Sequence, residues 1–320
     1  MLDAAARFMR EHDDILFIAH VSPDGDTLGS CLALMLMMEQ MQKRAQIVCE
    51  EPVPAIYRFL PGAERVLPPA GARQTEAVVC VDCADAARAG DCRVFFDRAA
   101  YSFNIDHHGT NRAYAQGNFV KAAAATGELV YALLERLELE LTPDIAACLF
   151  AAIATDTGNF AYSNTTPDTF RISAALLETG IDLPELNRRL FRTLPYRKVK
   201  LLGLAITKTR LYLDGRLGMA AVTQADLRDC GASGEDAEGI IDSIRDIDTV
   251  ELAVLLREST DGRIRASLRA KTHIAVDRIA AAFGGGGHRF AAGCTLDAPI
   301  ETACARLKEA AEAVLRSAEA

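Results

Sequence analysis

No stretch of this sequence stays apolar long enough to cross a bilayer. Its longest apolar runs, 31–38 and 146–154, are about half of what a membrane-spanning helix needs. The opening MLDAAARFMREHDD carries acids and arginines where a secretory signal needs an apolar core, so a cytoplasmic setting is expected. Basic residues are in deficit: 35 Lys and Arg stand against 44 Asp and Glu, a net charge of −9. That argues against clamping long duplex nucleic acid, which relies on many basic phosphate contacts. It leaves open a short phosphorylated ligand held by a few donors and metal ions. Repeats and low-complexity tracts are absent. The nine cysteines are odd in number and scattered through apolar stretches, which reads as free thiols in a reducing compartment. The single C-x-x-C, Cys80 to Cys83, lies in a strand-like run. Positions three apart in a strand face opposite sides, so the two thiols are not expected to converge.

What is present is an alternation of strands and helices. With 320 residues, two domains are the natural reading. ILFIA (15–19), AQIVC (45–49), AVVCV (77–81) and YSFNI (101–105) are continuous apolar runs suited to a sheet covered on both faces. Helices are expected near 2–12, 27–43, 126–138 and 143–155. The pattern predicts an α/β domain over 1–182 with a mostly parallel sheet flanked by helices, a helical connector over 183–206, and a smaller α+β domain over 207–320. In the last, strands flank a hairpin-like turn at Gly215, and 251–257 and 263–269 read as further strands. Helices are expected near 235–245, 274–282 and 299–317.

The chemistry sits at strand ends. ILFIA ends in His20, AVVCV in Asp82, and SFNI in Asp106, His107 and His108. Asp24 and Asp26 occupy the turn after the first strand, and Asp156 ends the apolar helix 143–155. Ligands of open α/β sheets bind outside the carboxyl ends of the strands, so these residue types converge on one rim. Asp24, Asp26, Asp82 and Asp156 would repel one another without cations, and two divalent ions neutralise four charges. Oxygen and imidazole donors with no thiolate suit Mn²⁺ better than structural Zn²⁺. Asp106 is expected behind an imidazole, fixing its orientation. Farther on, Gly284, Gly285, Gly286 and Gly287 form a run without Cβ atoms, which lets backbone amides approach a phosphate or base. His288 follows directly, and Arg269 ends a strand, where it could pair with a phosphate.

The segments HVSPDGD, VDCAD, NIDHHGTN and ATDTGNF resemble the four motifs of the DHH phosphoesterase family, and FGGGGHRFAAG resembles the glycine-rich motif of the domain that accompanies it. The length and order are most similar to the nanoRNase and pAp phosphatase branch. The resemblance implies two Mn²⁺ ions, one held by His20, Asp24 and Asp82, the other by Asp26, Asp82, His107 and Asp156, with Asp82 shared. His108 is then left free to face the phosphate, and Arg269, Gly284 to Gly287 and His288 bind substrate. The family's Arg-Ser pair is Arg269-Ala270 here, so its hydroxyl is lost. The implied activity is hydrolysis of short RNA oligonucleotides and of adenosine 3′,5′-bisphosphate (pAp), with no long duplex or membrane partner. A cyclic (c-di-AMP) or linear dinucleotide phosphodiesterase of the same family is the alternative. A homodimer is compatible with this reading.

Overall fold

Residues 1–271 and 273–317 are described by the structure, a computed structural model, with His288 described through its backbone. The chain divides into two units, Met1–Thr193 and Leu194–Ala320. In the first, α1 (Leu2–Glu11), β1 (Asp14–Ala19), α2 (Gly25–Gln40), β2 (Arg44–Val48) and β3 (Val66–Leu67) are followed by β4 (Ala77–Val81), α3 (Arg93–Asp97) and β5 (Tyr101–Asp106). β6 (Gly117–Val120), α4 (Thr126–Leu137), α5 (Pro143–Asp156), α6 (Pro167–Glu178) and α7 (Leu183–Asn187) complete it.

The sheet order is β3-β2-β1-β4-β5-β6 and every pairing is parallel. Ile15, Phe17 and Ala19 of β1 pack with α2, α4 and α5, while Leu16 and Ile18 pack on the opposite face with Val78, Cys80 and Phe95. Burial of both faces is the reason β1 and β4 read as unbroken apolar runs. The chain leaves β1 for β2 on one side and returns to β4 on the other. A crevice therefore opens between the carboxyl ends of β1 and β4, the switch point where open α/β sheets bind ligands.

Three helices converge on that crevice because glycines remove the obstacles. A Cβ on Gly25 would collide with the Thr155 side chain, and one on Gly29 with the Cys148 carbonyl oxygen. A Cβ on Gly127 would sit 2.7 Å from that of Ala152. The start of α2, the start of α4 and the end of α5 thus lie together.

The second unit contains α8 (Tyr196–Lys208), β7 (Arg210–Tyr212), β8 (Leu217–Val222), α9 (Gln224–Cys230), α10 (Ile240–Arg245), β9 (Leu252–Glu258) and β10 (Ile264–Ala270). After these come α11 (Val276–Ala281), β11 (Gly286–His288), β12 (Ala291–Leu296) and α12 (Ile300–Ser317). Its sheet, β11-β12-β10-β9-β8-β7, is mixed, with only β8 and β9 parallel. Leu252, Val254 and Leu256 face α11 and α12, whereas Ala253 and Leu255 face α8 and α10. Among the described residues no helix is long and apolar enough to cross a membrane.

Some expectations need revision. Cys80 and Cys83 do share one apolar cluster, because β4 ends at Val81 and Asp82 takes a left-handed φ of 59° that turns the chain back. All nine cysteines are free. The stretch 183–206 is helical as expected, in two pieces: α7 passes into a π-type turn (Arg188–Arg192), and α8 follows after its N-cap Pro195. Leu186 and Leu190 join the first core, Leu201 and Ala205 the second. The expected helix 235–245 is a short 3₁₀ turn (Glu235–Ala237) and then α10, separated by Gly239 at φ 81°.

Candidate metal centre

Each donor is delivered by the end of an element. His20 follows β1, Asp82 follows β4, and Asp106 ends β5 with His107 and His108 behind it. Asp24 caps α2, its Oδ1 accepting from the amides of Asp26 and Thr27 at 3.1 Å each. Asp156 is the last residue of α5.

Three sets of donor atoms lie close together: His20, Asp24 and Asp82; Asp26, His107 and Asp156; and Asp82, His107 and His108, with Asp82 linking the first two groups through His107. His20 Nε2 lies 3.4 Å from Asp82 Oδ2 and 3.6 Å from Asp24 Oδ1. His107 Nε2 lies 3.5 Å from Asp82 Oδ1, 3.6 Å from Asp156 Oδ2 and 3.8 Å from Asp26 Oδ2. Ligands bound to one ion at about 2.1 Å stand about 3–3.5 Å apart, and the imidazole-to-carboxylate distances of both groups lie at that range or a few tenths of an ångström beyond it. The two ring orientations agree with that. His107 Nδ1 donates to the Ala123 carbonyl at 3.1 Å, which directs a bare Nε2 at the carboxylates. His20 Nδ1 lies 2.8 Å from the Val21 carbonyl.

The carboxylates are built in rather than exposed by chance. Asp26 is buried and accepts from the amides of Thr126 at 2.7 Å and Gly127 at 2.9 Å, and from Ser30 Oγ at 3.2 Å. Thr126 Oγ1 donates to Asp82 Oδ1 at 2.8 Å. α4 has no side-chain cap of its own at Ala125, so Asp26, from another helix, fills that role. Sequence reasoning missed Thr126 and Gly127. The visible signal was a Thr-Gly pair opening a helix with no Ser, Asp or Asn before it.

Four carboxylates in one crevice strain one another's ionisation. Burial, then the neighbouring Asp82, Asp156 and Asp24, push Asp26 well above the usual carboxylate range. Burial and the carboxylates of Asp82 and Asp24 raise Asp156 to about 6, against the pull of His107 and His108. For His20 burial opposes the charge, yet hydrogen bonds to Asp24 and Asp82 outweigh it and lift the ring to about 9. A divalent cation among these groups would favour the ionised carboxylates and the neutral imidazole.

His108 is different. Its Nδ1 lies 2.6 Å from Asp106 Oδ1 and is committed to it, so that nitrogen is unavailable to an ion, although it also lies 3.7 Å from Asp82. The bond to Asp106 raises the His108 pKa. Asp106 is fully buried and also accepts from Asn111 Nδ2 at 2.6 Å. Asn111, another residue the sequence reading passed over, ties this pair to Asn104 Oδ1 at 2.7 Å and the Cys83 carbonyl at 3.1 Å.

The remaining candidates lie in the second unit. Register pairs Arg269 with Ala291, and Ala291 with residue 288, so they form one row across β10, β12 and β11. Arg269 donates to the Leu268 carbonyl at 3.1 Å and stands 3.9 Å from Asp242. The side chain of His288 lies outside the described residues. The glycine run has a structural reason of its own. Gly284 has φ 72°, a Cβ on Gly285 would strike the Gly293 carbonyl, and one on Gly287 would sit 2.6 Å from that of Ala291. Gly286 faces open space. The close approach in this hairpin is therefore to β12.

Comparison with known proteins agrees with this architecture. Residues 14–153 match the DHH family N-terminal domain, and 219–317 match the DHHA1 domain. The bifunctional oligoribonuclease and PAP phosphatase NrnA of Thermus thermophilus is 35% identical over 91% of this chain and 87% of its own length. The crystal structure of an exopolyphosphatase-related protein from Bacteroides fragilis superposes with a TM-score of 0.92 at 25% identity, covering 97% of this chain and 95% of the other. RecJ from Thermus thermophilus, solved in complex with Mn²⁺, shares the fold at a TM-score of 0.55 and 15% identity, over 97% of this chain and 54% of RecJ.

Proposed function

Since the chain belongs to the DHH family of metal-dependent phosphoesterases and carries the DHHA1 domain, we propose that it is a Mn²⁺-dependent hydrolase of short RNA oligonucleotides and of pAp. The observation that carries the reading is the pair of donor groups sharing Asp82, in a chain 35% identical to a bifunctional oligoribonuclease and PAP phosphatase. His20, Asp24 and Asp82 hold one ion, and Asp26, Asp82, His107 and Asp156 the other. The donor set fits: hard oxygens with two imidazoles and no thiolate suit Mn²⁺. Ions bound there supply charge neutralisation and water activation for in-line attack on phosphorus.

The chain's own groups supply the rest. Asp106 holds the His108 ring in place and favours its protonated form, so Nε2–H is presented to the phosphoryl group or the departing oxygen. Thr126 and the α4 amides keep Asp82 and Asp26 in position as charge changes hands. The second unit contributes nucleotide contacts through Arg269, the 284–287 backbone and His288. Substrates of this kind are free nucleotides and RNA fragments, which fits work in the cytoplasm.

The test is a substrate panel in Mn²⁺: pAp, RNAs of graded short length, and c-di-AMP. Turnover of pAp and of the shortest RNAs, lost on chelation, is the expected result. Preferential hydrolysis of c-di-AMP would move the protein to the cyclic dinucleotide reading.

A further inference from the structure

Arg88 occupies an odd position for a surface arginine. It is exposed, it makes no ion pair among the described residues, and its Nη2 stands 3.0 Å from His20 Nδ1. The same Nδ1 lies 2.8 Å from the Val21 carbonyl. One ring nitrogen cannot serve both neighbours. A guanidinium only donates, so contact with Arg88 demands a lone pair on Nδ1. The Val21 carbonyl only accepts, so it demands a proton there. With His20 Nε2 turned to the Asp24 and Asp82 carboxylates, Arg88 and the Val21 carbonyl are left to compete for the one remaining ring nitrogen. Arg88 meets no carboxylate among the described residues, so its charge is unspent at the rim of the crevice.

The backbone holds that position firmly. Asp85 Oδ1 caps the turn through the amides of Ala87 at 2.8 Å and Arg88 at 3.2 Å. The Val21 amide donates to the Arg88 carbonyl at 2.8 Å, joining the turn to the segment after β1. Gly90 takes φ 54°, where a Cβ would collide with Glu50, and Glu50 Oε2 accepts from the Asp91 amide at 2.6 Å. A guanidinium is thus carried to within one side chain of the donor cluster, with no carboxylate partner among the described residues.

We propose that Arg88 is a phosphate-binding residue of the centre, donating to a non-bridging oxygen of the phosphoryl group that is hydrolysed. This rests on the phosphoesterase reading above. An anion arriving between the donor groups gives Arg88 a charged acceptor in place of a contested ring nitrogen, and a planar fork suits phosphoryl oxygens.

The test uses the full chain with Mn²⁺ and the variants R88Q and R88K. kcat/KM is measured for pAp and for bis(p-nitrophenyl) phosphate, AMP binding by titration calorimetry, and bound metal by elemental analysis. With metal content unchanged, R88Q should lose about 10- to 150-fold in kcat/KM on both esters, the scale of one charge-assisted contact, and weaken AMP binding. R88K should recover part of each loss. Wild-type behaviour of R88Q, a loss confined to pAp, or a loss explained by missing metal overturns the proposal. If the wild type hydrolyses neither ester, the phosphoesterase reading fails by itself, and the AMP titration still decides Arg88: equal affinity in wild type and R88Q rejects it.

Discussion

Each unit is built on a six-stranded sheet, but in the first every neighbour is parallel, while in the second only β8 and β9 are. A parallel sheet releases all its carboxyl ends at one rim, and His20, Asp82 and His107 arrive there from three different strands. A mostly antiparallel sheet sends its ends to both rims and cannot gather them. What it offers is rows across strands, and Arg269, Ala291 and residue 288 form such a row. The first unit therefore concentrates charge at a point, and the second arrays residues in rows along a surface. That contrast motivates the proposal that places chemistry in one and recognition in the other.

The largest expected blow to this division is Asp82→Ala. Asp82 alone faces both donor groups, so kcat/KM for pAp should fall by ~10³-fold or more, the scale of removing a principal electrostatic group. Bound metal, counted per chain, should drop with it. Asp24→Ala touches one group and should cost less. The reverse ranking would remove Asp82 from its shared role.

Arg269→Ala tests the other half. It should cost about 10- to 150-fold in kcat/KM for pAp and leave bis(p-nitrophenyl) phosphate nearly untouched. Equal losses on both substrates would make the second unit part of the reacting machinery. Asp106→Asn should cost about 10- to 100-fold on both substrates, because it loosens His108 without removing a donor. Its pH–rate profile should shift, since the bond that raises the His108 pKa is weakened.

The smallest effect concerns stability against pH, followed by hydrogen exchange in each unit of the metal-free chain. His20, lifted from 6.5 to about 9, contributes stability that is complete below 6.5 and lost as pH rises through 9. Asp156, raised to about 6, adds a cost that is complete above 6 and relieved as pH falls toward the ordinary carboxylate range. Both make the first unit firmer as pH drops from 9 to 5. In the second unit burial opposes ionisation of Asp226 and Asp236, but for Asp226 the Lys208 ion pair and Thr223 outweigh it, and for Asp236 Ser233 and Arg197 do. Both pKa values are lowered, so their contribution is lost only below the ordinary carboxylate range. Parallel responses of the two units between pH 9 and 5 would contradict this account. Mn²⁺ should flatten or invert the first unit's dependence, because ions and protons compete for the same donors.

Much of this was readable in the sequence, for reasons that also explain the failures. β1, β4 and β5 were legible because burial on both faces leaves an unbroken apolar run. The two-residue β3 and the edge strand β6 lack that signature, and β11 and β12 are hidden among glycine and alanine. The clustering of these His and Asp residues was legible because each is a chemically distinctive residue at a strand or helix end. Thr126 and Gly127 were not, because their contribution is largely main-chain N–H, which every residue but proline carries. The misreading of Cys80 and Cys83 came from treating Asp82 as part of a strand, when its positive φ turns the chain. The same contortion points the Asp82 carboxylate at both donor groups.

The glycines of α2 carry a consequence for how such a centre could be altered. Residue 29 abuts a main-chain carbonyl, not a side chain that could be trimmed. The separation between the acids opening α2 and Asp156 is thus a dimension of the scaffold. Tuning the cluster toward an ion of another radius by exchanging ligands alone would leave that dimension unchanged. A bulkier residue at 29 would act as a spacer, prising the two helices apart and widening the gap that the donors span. Selection for a different metal should therefore favour changes along the helix crossing, where no donor resides, before changes among the donors themselves.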